Sequence, residues 1–169
     1  MNSLAAAAAA IAVGAGLDQI KAGLESLDPV SGRLQIRPGL NGSTVIDDTY
    51  NANPRSVAAA LEVLGSSSGA TVLVIGDMKE LGSRSEEMHA DVGVQARQAG
   101  VDKLFAYGAL SRHAVGAFGS SACYFHDKDE LIEALCENLD ARTTVLVKGS
   151  RGMRMEEVVD AIAADGVRH

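Results

Sequence analysis

The chain of 169 residues predicts an α/β fold: a Rossmann-like, doubly wound, mostly parallel sheet with helices on both faces, preceded by two helices. Short apolar runs alternate from residue 43 onward with stretches whose apolar residues recur at helical spacing, which is the rhythm of a parallel sheet. Hydrophobic residues make up 47% of the chain but aromatics only 4%, with no Trp, so the core must rest on Leu, Val, Ile and Ala, as buried parallel strands allow. Three polar clusters, at 48–53, 76–79 and 148–151, each follow an apolar run directly. In a parallel sheet that places all three on one rim, where such folds bind ligands.

Residues 3–13 are almost entirely Ala, Leu, Ile and Val, a helix with no polar face and therefore one that expects burial on most sides. Gly14 and Gly16 end it, and residues 17–27 form a second helix with Leu17, Ile20, Leu24 and Leu27 on its apolar stripe. Asp28-Pro29-Val30-Ser31-Gly32 reads as a linker. Residues 34–37 and 43–48 flank the turn Pro38-Gly39-Leu40-Asn41-Gly42 and predict a hairpin. Asn53 before Pro54 is an N-cap followed by Pro at the first helical position, opening a helix on Val57, Ala60, Leu61 and Leu64 that closes at Gly65. A strand follows at 71–75, then a helix to Ala99 that Ser83 and Glu86 would start as a capping box. The remaining strands are expected at 103–107, 123–126 and 143–148. Their helices are expected from Leu110, at about 129–139 and at about 153–164.

A formal charge of −7 and a pI near 5.0 argue against general nucleic-acid binding, which needs a basic face. Cys123 and Cys136 have neither zinc spacing nor His partners and make no disulfide framework, so both are expected as free thiols in a reducing cytoplasm. The alanine-rich start lacks the basic region of a secretory signal, and no apolar stretch reaches the ~20 residues of a membrane span. His89, His113, His126 and His169 show no metal-ligand spacing, and no metal site is expected. Neither the P-loop pattern nor the dinucleotide pattern G-x-G-x-x-G occurs.

The chemistry concentrates on the rim. Capping explains Asn53 but leaves Asp47, Asp48, Tyr50 and Asn51 without a packing role, and a crowd of carboxylates, amides and a phenol at a strand end suits a small polar ligand. Gly149-Ser150-Arg151-Gly152 reads either as an anion site at a helix start, reinforced by Lys148, Arg151 and Arg154, or as a tight turn with solvated basic residues. Arg33, beside the linker, is either a surface residue or a bidentate grip for phosphate oxygens.

Gly32-Arg33, Asp48-Thr49-Tyr50-Asn51-Ala52-Asn53-Pro54, Gly76-Asp77-Met78-Lys79-Glu80-Leu81-Gly82 and Val147-Lys148-Gly149-Ser150-Arg151 together resemble the C-terminal part of the Mur ligases. The Tyr-Asn-Ala-Asn-Pro wording is most similar to the member that joins D-alanyl-D-alanine to UDP-N-acetylmuramoyl-tripeptide. The resemblance implies that residues 1–31 are the last helices and linker of a central ATPase domain, and residues 32–169 the C-terminal domain. It implies ATP and Mg²⁺ as cofactors, held largely by domains outside these residues, and an acyl phosphate intermediate. It further implies that Arg33 meets the terminal phosphate, that Asp48 binds the ribose, and that Asn2 faces adenine. Arg33 and Lys79 would then be catalytic. Asn51 and Asn53 would approach the nucleotide or the dipeptide, and Tyr50, Lys148, Ser150 and Arg151 the peptide substrates. Two alternatives stand beside it: another ligase of the superfamily, such as a folylpolyglutamate synthase, and a non-catalytic nucleotide-binding module.

Overall fold

The computed structural model describes residues 2–26 and 31–165, and the chain divides into two compact units, Met1–Val30 and Ser31–His169. The expected helix end at Leu27, linker residues 28–30, His169 and the side chain of Asn2 lie outside the described parts.

The first unit holds α1 (Asn2–Ala12) and α2 (Leu17–Glu25), joined through Gly14 at φ 89°, a left-handed angle that Gly adopts without a Cβ penalty. Ala6, Ala10, Ile20 and Leu24 line an apolar hollow inside this unit. Leu4 and Ile11 nevertheless remain 74% and 55% exposed, so most of the apolar surface of α1 finds no partner within this unit. Eleven residues also fall short of the ~12–15 at which an isolated helix becomes even marginal in water. Hydrogen exchange should therefore find the amides of α1 close to unprotected in a monomer of this chain. Protection equal to that of the central strands would contradict this.

The second unit is built on a six-stranded sheet in the order β1-β2-β6-β3-β4-β5, with strands β1 (Gln35–Pro38), β2 (Thr44–Asp48), β3 (Ala70–Gly76), β4 (Lys103–Tyr107), β5 (Ala122–Phe125) and β6 (Thr143–Lys148). β1 pairs antiparallel with β2 across the expected hairpin, and every other pairing is parallel. Side-chain alternation along each strand builds two cores. Ile46, Leu73, Ile75 and Leu146 face α3 (Pro54–Gly65), α4 (Ser85–Gln98) and α5 (Arg112–Phe118). Val45, Val72, Val74, Val145 and Val147 face α6 (Lys128–Cys136) and α7 (Glu156–Ile162). Because both faces are covered, β3 and β6 read in sequence as unbroken apolar runs.

Asn53 caps α3 as expected: its carboxamide oxygen accepts from the Ser56 amide at 2.9 Å, and the Ser56 hydroxyl accepts from the Asn53 amide at 3.1 Å. The capping box expected at Ser83 and Glu86 does not form. A 3-10 turn over Gly82–Arg84 comes first, α4 begins at Ser85, and the Ser85 hydroxyl turns back to the Gly82 carbonyl. The last helix also starts later than expected, because a 3-10 turn at Arg151–Met153 and a left-handed Arg154 (φ 51°) intervene. Beyond α7 the chain returns to the hairpin, with the Ala164 amide donating to the Pro38 carbonyl at 2.9 Å. There Arg37 bonds Asp160 and Asp165, and the guanidinium holds the Asp165 carboxyl below the usual carboxylate range. Among the described residues no helix is long and apolar enough to cross a membrane.

Candidate functional site

Parallel pairing fixes where the polar clusters go. Asp48 is the register partner of Lys148 in β6, and Lys148 is in turn the partner of Ile75 in β3, so all three strands deliver their carboxyl ends to one rim. Asp48, Lys79 and Ser150, distant in sequence, stand on that rim together.

The rim carries a concave pocket of about 250 Å³ lined by Arg33, Asp48, Tyr50, Asn51, Asn53, Ser56 and Lys148. Larger hollows lie between α3 and α4, around Leu61 and Gln95, and at the opposite rim, around Thr44 and Arg142. Neither gathers the mixture of cation, carboxylate, amide and phenol seen here, and convergent polar groups mark a site better than volume does. Pockets that enclose a drug-sized ligand measure ~300–1,000 Å³, so this hollow has room for part of such a ligand and leaves the rest to another surface.

Each side chain has a definite arrangement. The Arg33 guanidinium lies over the Tyr50 ring, 4.3 Å from its centroid, a cation–π contact on the surface. The Tyr50 amide donates to the Gly32 carbonyl at 2.9 Å, and the Leu34 amide donates to Asp48 Oδ1 at 3.3 Å, so residues 32–34 are laid along the rim. Leu34 does this at φ 48°, a left-handed angle that costs a branched residue about 1–2 kcal/mol. Lys148 is 1% exposed, and its ammonium donates to Asp48 Oδ2 at 2.5 Å and to the Asn51 carbonyl at 2.9 Å. Asn51 turns its carboxamide oxygen to the Ala52 amide.

The neighbouring turns are bound to one another. The Ser150 hydroxyl accepts from the Lys79 amide at 2.8 Å, while the Ser150 amide donates to the Asp77 carbonyl at 3.0 Å. Asp77, only 3% exposed, accepts through Oδ1 from the Leu110 amide, the Ser111 amide and the Ser111 hydroxyl, and its Oδ2 lies 3.6 Å from the Lys79 ammonium. His89, fully buried on α4, accepts through Nε2 from the Met78 amide and meets the Ser85 carbonyl with Nδ1. A carbonyl only accepts and an amide N–H only donates, so the ring is the neutral Nδ1–H tautomer.

One residue in the polar crowd proves to be scaffold. Asp47 Oδ1 accepts from the Thr49 amide and hydroxyl at 3.1 and 2.6 Å, an Asx turn that shapes the end of β2. At Gly149–Gly152 the chain turns tightly, with Arg151 and Arg154 exposed and Lys148 buried. The following helix begins only at Glu156, Arg151 pairs with Glu156 and Arg154 with Glu157, so carboxylates already occupy the first turn of that helix. Ser111 is the residue that sequence reasoning missed, and Asp77 stood in the 76–79 cluster without a role assigned to it. The available signal was an acidic residue directly behind the apolar run of β3.

Arg33, Asp48, Tyr50, Asn51, Asn53 and Lys148 thus share one pocket, with Lys79, Ser150 and Arg151 beside it on the same rim. Asn2 belongs to the other unit. Among the described residues no group of three or more His, Cys, Asp or Glu side chains could hold a metal ion.

Residues 32–151 match the family described as "Mur ligase, glutamate ligase domain". The UDP-N-acetylmuramoyl-tripeptide--D-alanyl-D-alanine ligase of Escherichia coli (strain K12) is 45% identical over 167 residues, covering 98% of this chain and 37% of that relative. A crystal structure of MurF from Acinetobacter baumannii superposes with a TM-score of 0.84 at 34% identity, over 98% of this chain and 36% of that one. MurF from Thermotoga maritima in complex with ADP gives 0.79 at 27% identity, over 91% and 35%. The chain spans about a third of the length of each of these relatives.

Proposed function

We propose, from the premise that this chain belongs to the Mur ligase family, that its residues 32–169 are the C-terminal domain of an ATP-dependent ligase adding D-alanyl-D-alanine to UDP-N-acetylmuramoyl-tripeptide in the cytoplasm. Residues 1–31 are then the end of the central ATPase domain and its linker. The observation that carries the reading is likeness along nearly the whole chain to ligases of that name, with the quoted rim residues inside the matched stretch.

The tripeptide carboxylate takes the terminal phosphoryl group of ATP, ADP leaves, and the dipeptide amine displaces phosphate from the acyl carbon to form the amide. Catalysis of such a transfer is chiefly positioning and charge stabilisation, with Mg²⁺ spreading the phosphoryl charge. The donor set on the rim fits a nucleotide's sugar and terminal phosphate: Asp48 offers a carboxylate oxygen to ribose hydroxyls, and Arg33 a bidentate cation to phosphate oxygens. A part-sized pocket fits a site completed by a second domain on closure, which also excludes water from the acyl phosphate. Lys79, held beside Asp77, stands where it can steady the transferring group. Asn51, Tyr50, Asn53 and Arg151 face the nucleotide or the peptide substrates, and Asn2 the adenine.

The test is ligation by the full-length protein with ATP, Mg²⁺ and UDP-N-acetylmuramoyl-tripeptide, offering D-alanyl-D-alanine, free D-alanine, lysine or glutamate as the amine. Product mass and phosphate release should require the dipeptide. Turnover with a single amino acid instead would move the chain to another branch of the family. The 169-residue chain alone contains no P-loop and should release no phosphate and bind ATP no tighter than millimolar in calorimetry. Micromolar affinity would mean that this segment carries the main phosphate contacts itself.

A further inference from the structure

We infer that Lys148 is a positioning residue that acts on the nucleotide through Asp48, and that it touches neither peptide substrate. The inference rests on the proposed contact between Asp48 and the ribose. Alternation along the strands puts Asp48 on the same face as Ile46, and Lys148 on the same face as Leu146, so the two side chains meet side by side under the start of α3. An ammonium has three donors. Those of Lys148 are engaged by Asp48 Oδ2 at 2.5 Å, the Asn51 carbonyl at 2.9 Å and the Asp48 carbonyl at 3.5 Å. The Lys148 side chain is 2% exposed, against 13% for Asp48. No N–H remains to offer a substrate, and swinging the ammonium outward would strand a largely buried carboxylate.

The pair does two things for the site. Lys148 occupies Oδ2, so Oδ1, which carries only the longer contact from the Leu34 amide at 3.3 Å, is the oxygen presented to a ligand hydroxyl. It also neutralises a carboxylate that would otherwise repel the phosphates of the ligand the pocket serves. By gripping the Asn51 carbonyl, the same ammonium sets the loop that carries Tyr50.

The experiment is steady-state kinetics on the full-length enzyme with ATP and with 2′,3′-dideoxy-ATP, using Asp48→Asn, Lys148→Met and the double variant, each checked by thermal melting. Wild type should prefer ATP about tenfold or more, the worth of a charge-assisted hydrogen bond. Asp48→Asn should lose that preference. Lys148→Met should lose it too, raising KM for ATP about tenfold while kcat and the KM values of both peptide substrates stay close to wild type. In the Asp48→Asn background, Lys148→Met should add nothing, because the two residues work as one unit. If Lys148→Met alone does not fold, the double variant, which buries no lone charge, replaces it: KM values equal to those of Asp48→Asn support the inference. A preference retained in Lys148→Met but lost in Asp48→Asn overturns the inference and leaves the ribose contact standing. A preference retained in Asp48→Asn overturns both. A raised KM for either peptide substrate in the double variant overturns it in favour of direct substrate contact.

Discussion

Arg33→Ala in the full-length ligase is expected to lower turnover about a hundredfold or more, the usual cost of removing one charge contact made to a developing phosphoryl charge. Its folded-state role is small by comparison. The guanidinium is exposed and stacks on one ring, a contact worth about 0.5–1 kcal/mol at a surface, so the melting temperature should fall by no more than roughly 2–4 °C. Tyr50→Leu removes the same stack and leaves the guanidinium free to reach a phosphate, so it should share the small thermal effect without the large kinetic one. Rate measurements beside thermal melts separate the two. Normal turnover in a folded Arg33→Ala variant would remove Arg33 from the reaction.

The largest expected effect on stability lies in the helical layer. Gly93 on α4 faces α5 so closely that an added Cβ would collide with the Ala114 carbonyl oxygen and lie 3.0 Å from the Phe118 amide nitrogen. Those are backbone atoms, which cannot rotate away, so Gly93→Ala must push α5 outward and loosen Val92, Ala96 and Phe118 with it. Overpacking of this kind costs about 1–3 kcal/mol or more, and the better helix propensity of Ala returns about 1. A net loss of about 2 kcal/mol would lower the melting temperature by roughly 4–8 °C. Gly116, on α5 itself, has nothing within 4 Å of the same position. Gly116→Ala should therefore gain up to about 1 kcal/mol, and the opposite signs of two Gly→Ala changes in touching helices are the result to look for.

The sheet was legible because its signal is local. β4 and β6 carry the bounds expected of them, since each apolar run ends abruptly in a polar or Gly residue and burial on both faces leaves no alternation to misread. The cap at Asn53 was legible for the same reason, since it needs only residues 53 to 56. Where a start depends on tertiary contacts, the reading slipped. The turn at Arg151–Met153 delays the last helix because the Met153 amide bonds back to Ser150, whose own amide is tied to Asp77. The rim divides the same way. That Asp48, Lys79 and Ser150 share one edge follows from strand order. Which polar atoms are still open to a ligand does not, because Lys148 and Ser150 spend donors and acceptors on partners 100 and 71 residues away in sequence. The role of Asp77 was not legible because its donors, Leu110 and Ser111, arrive from beyond β4, on the far side of a helix in sequence.

The central claim is that this rim, and not another surface of the domain, meets the nucleotide during turnover. Mn²⁺ in place of Mg²⁺ in the full-length protein, read as paramagnetic broadening of backbone amides, measures that approach in solution. With a non-hydrolysable ATP analogue and the tripeptide substrate present, broadening should grow at residues 32–34, 48–53, 77–79 and 149–151. It should leave the opposite rim at Thr44, Ser67, Ser68 and residues 141–144 untouched. Broadening confined to that opposite rim, or absent from both while the Mn²⁺ enzyme turns over, would contradict the placement of the site.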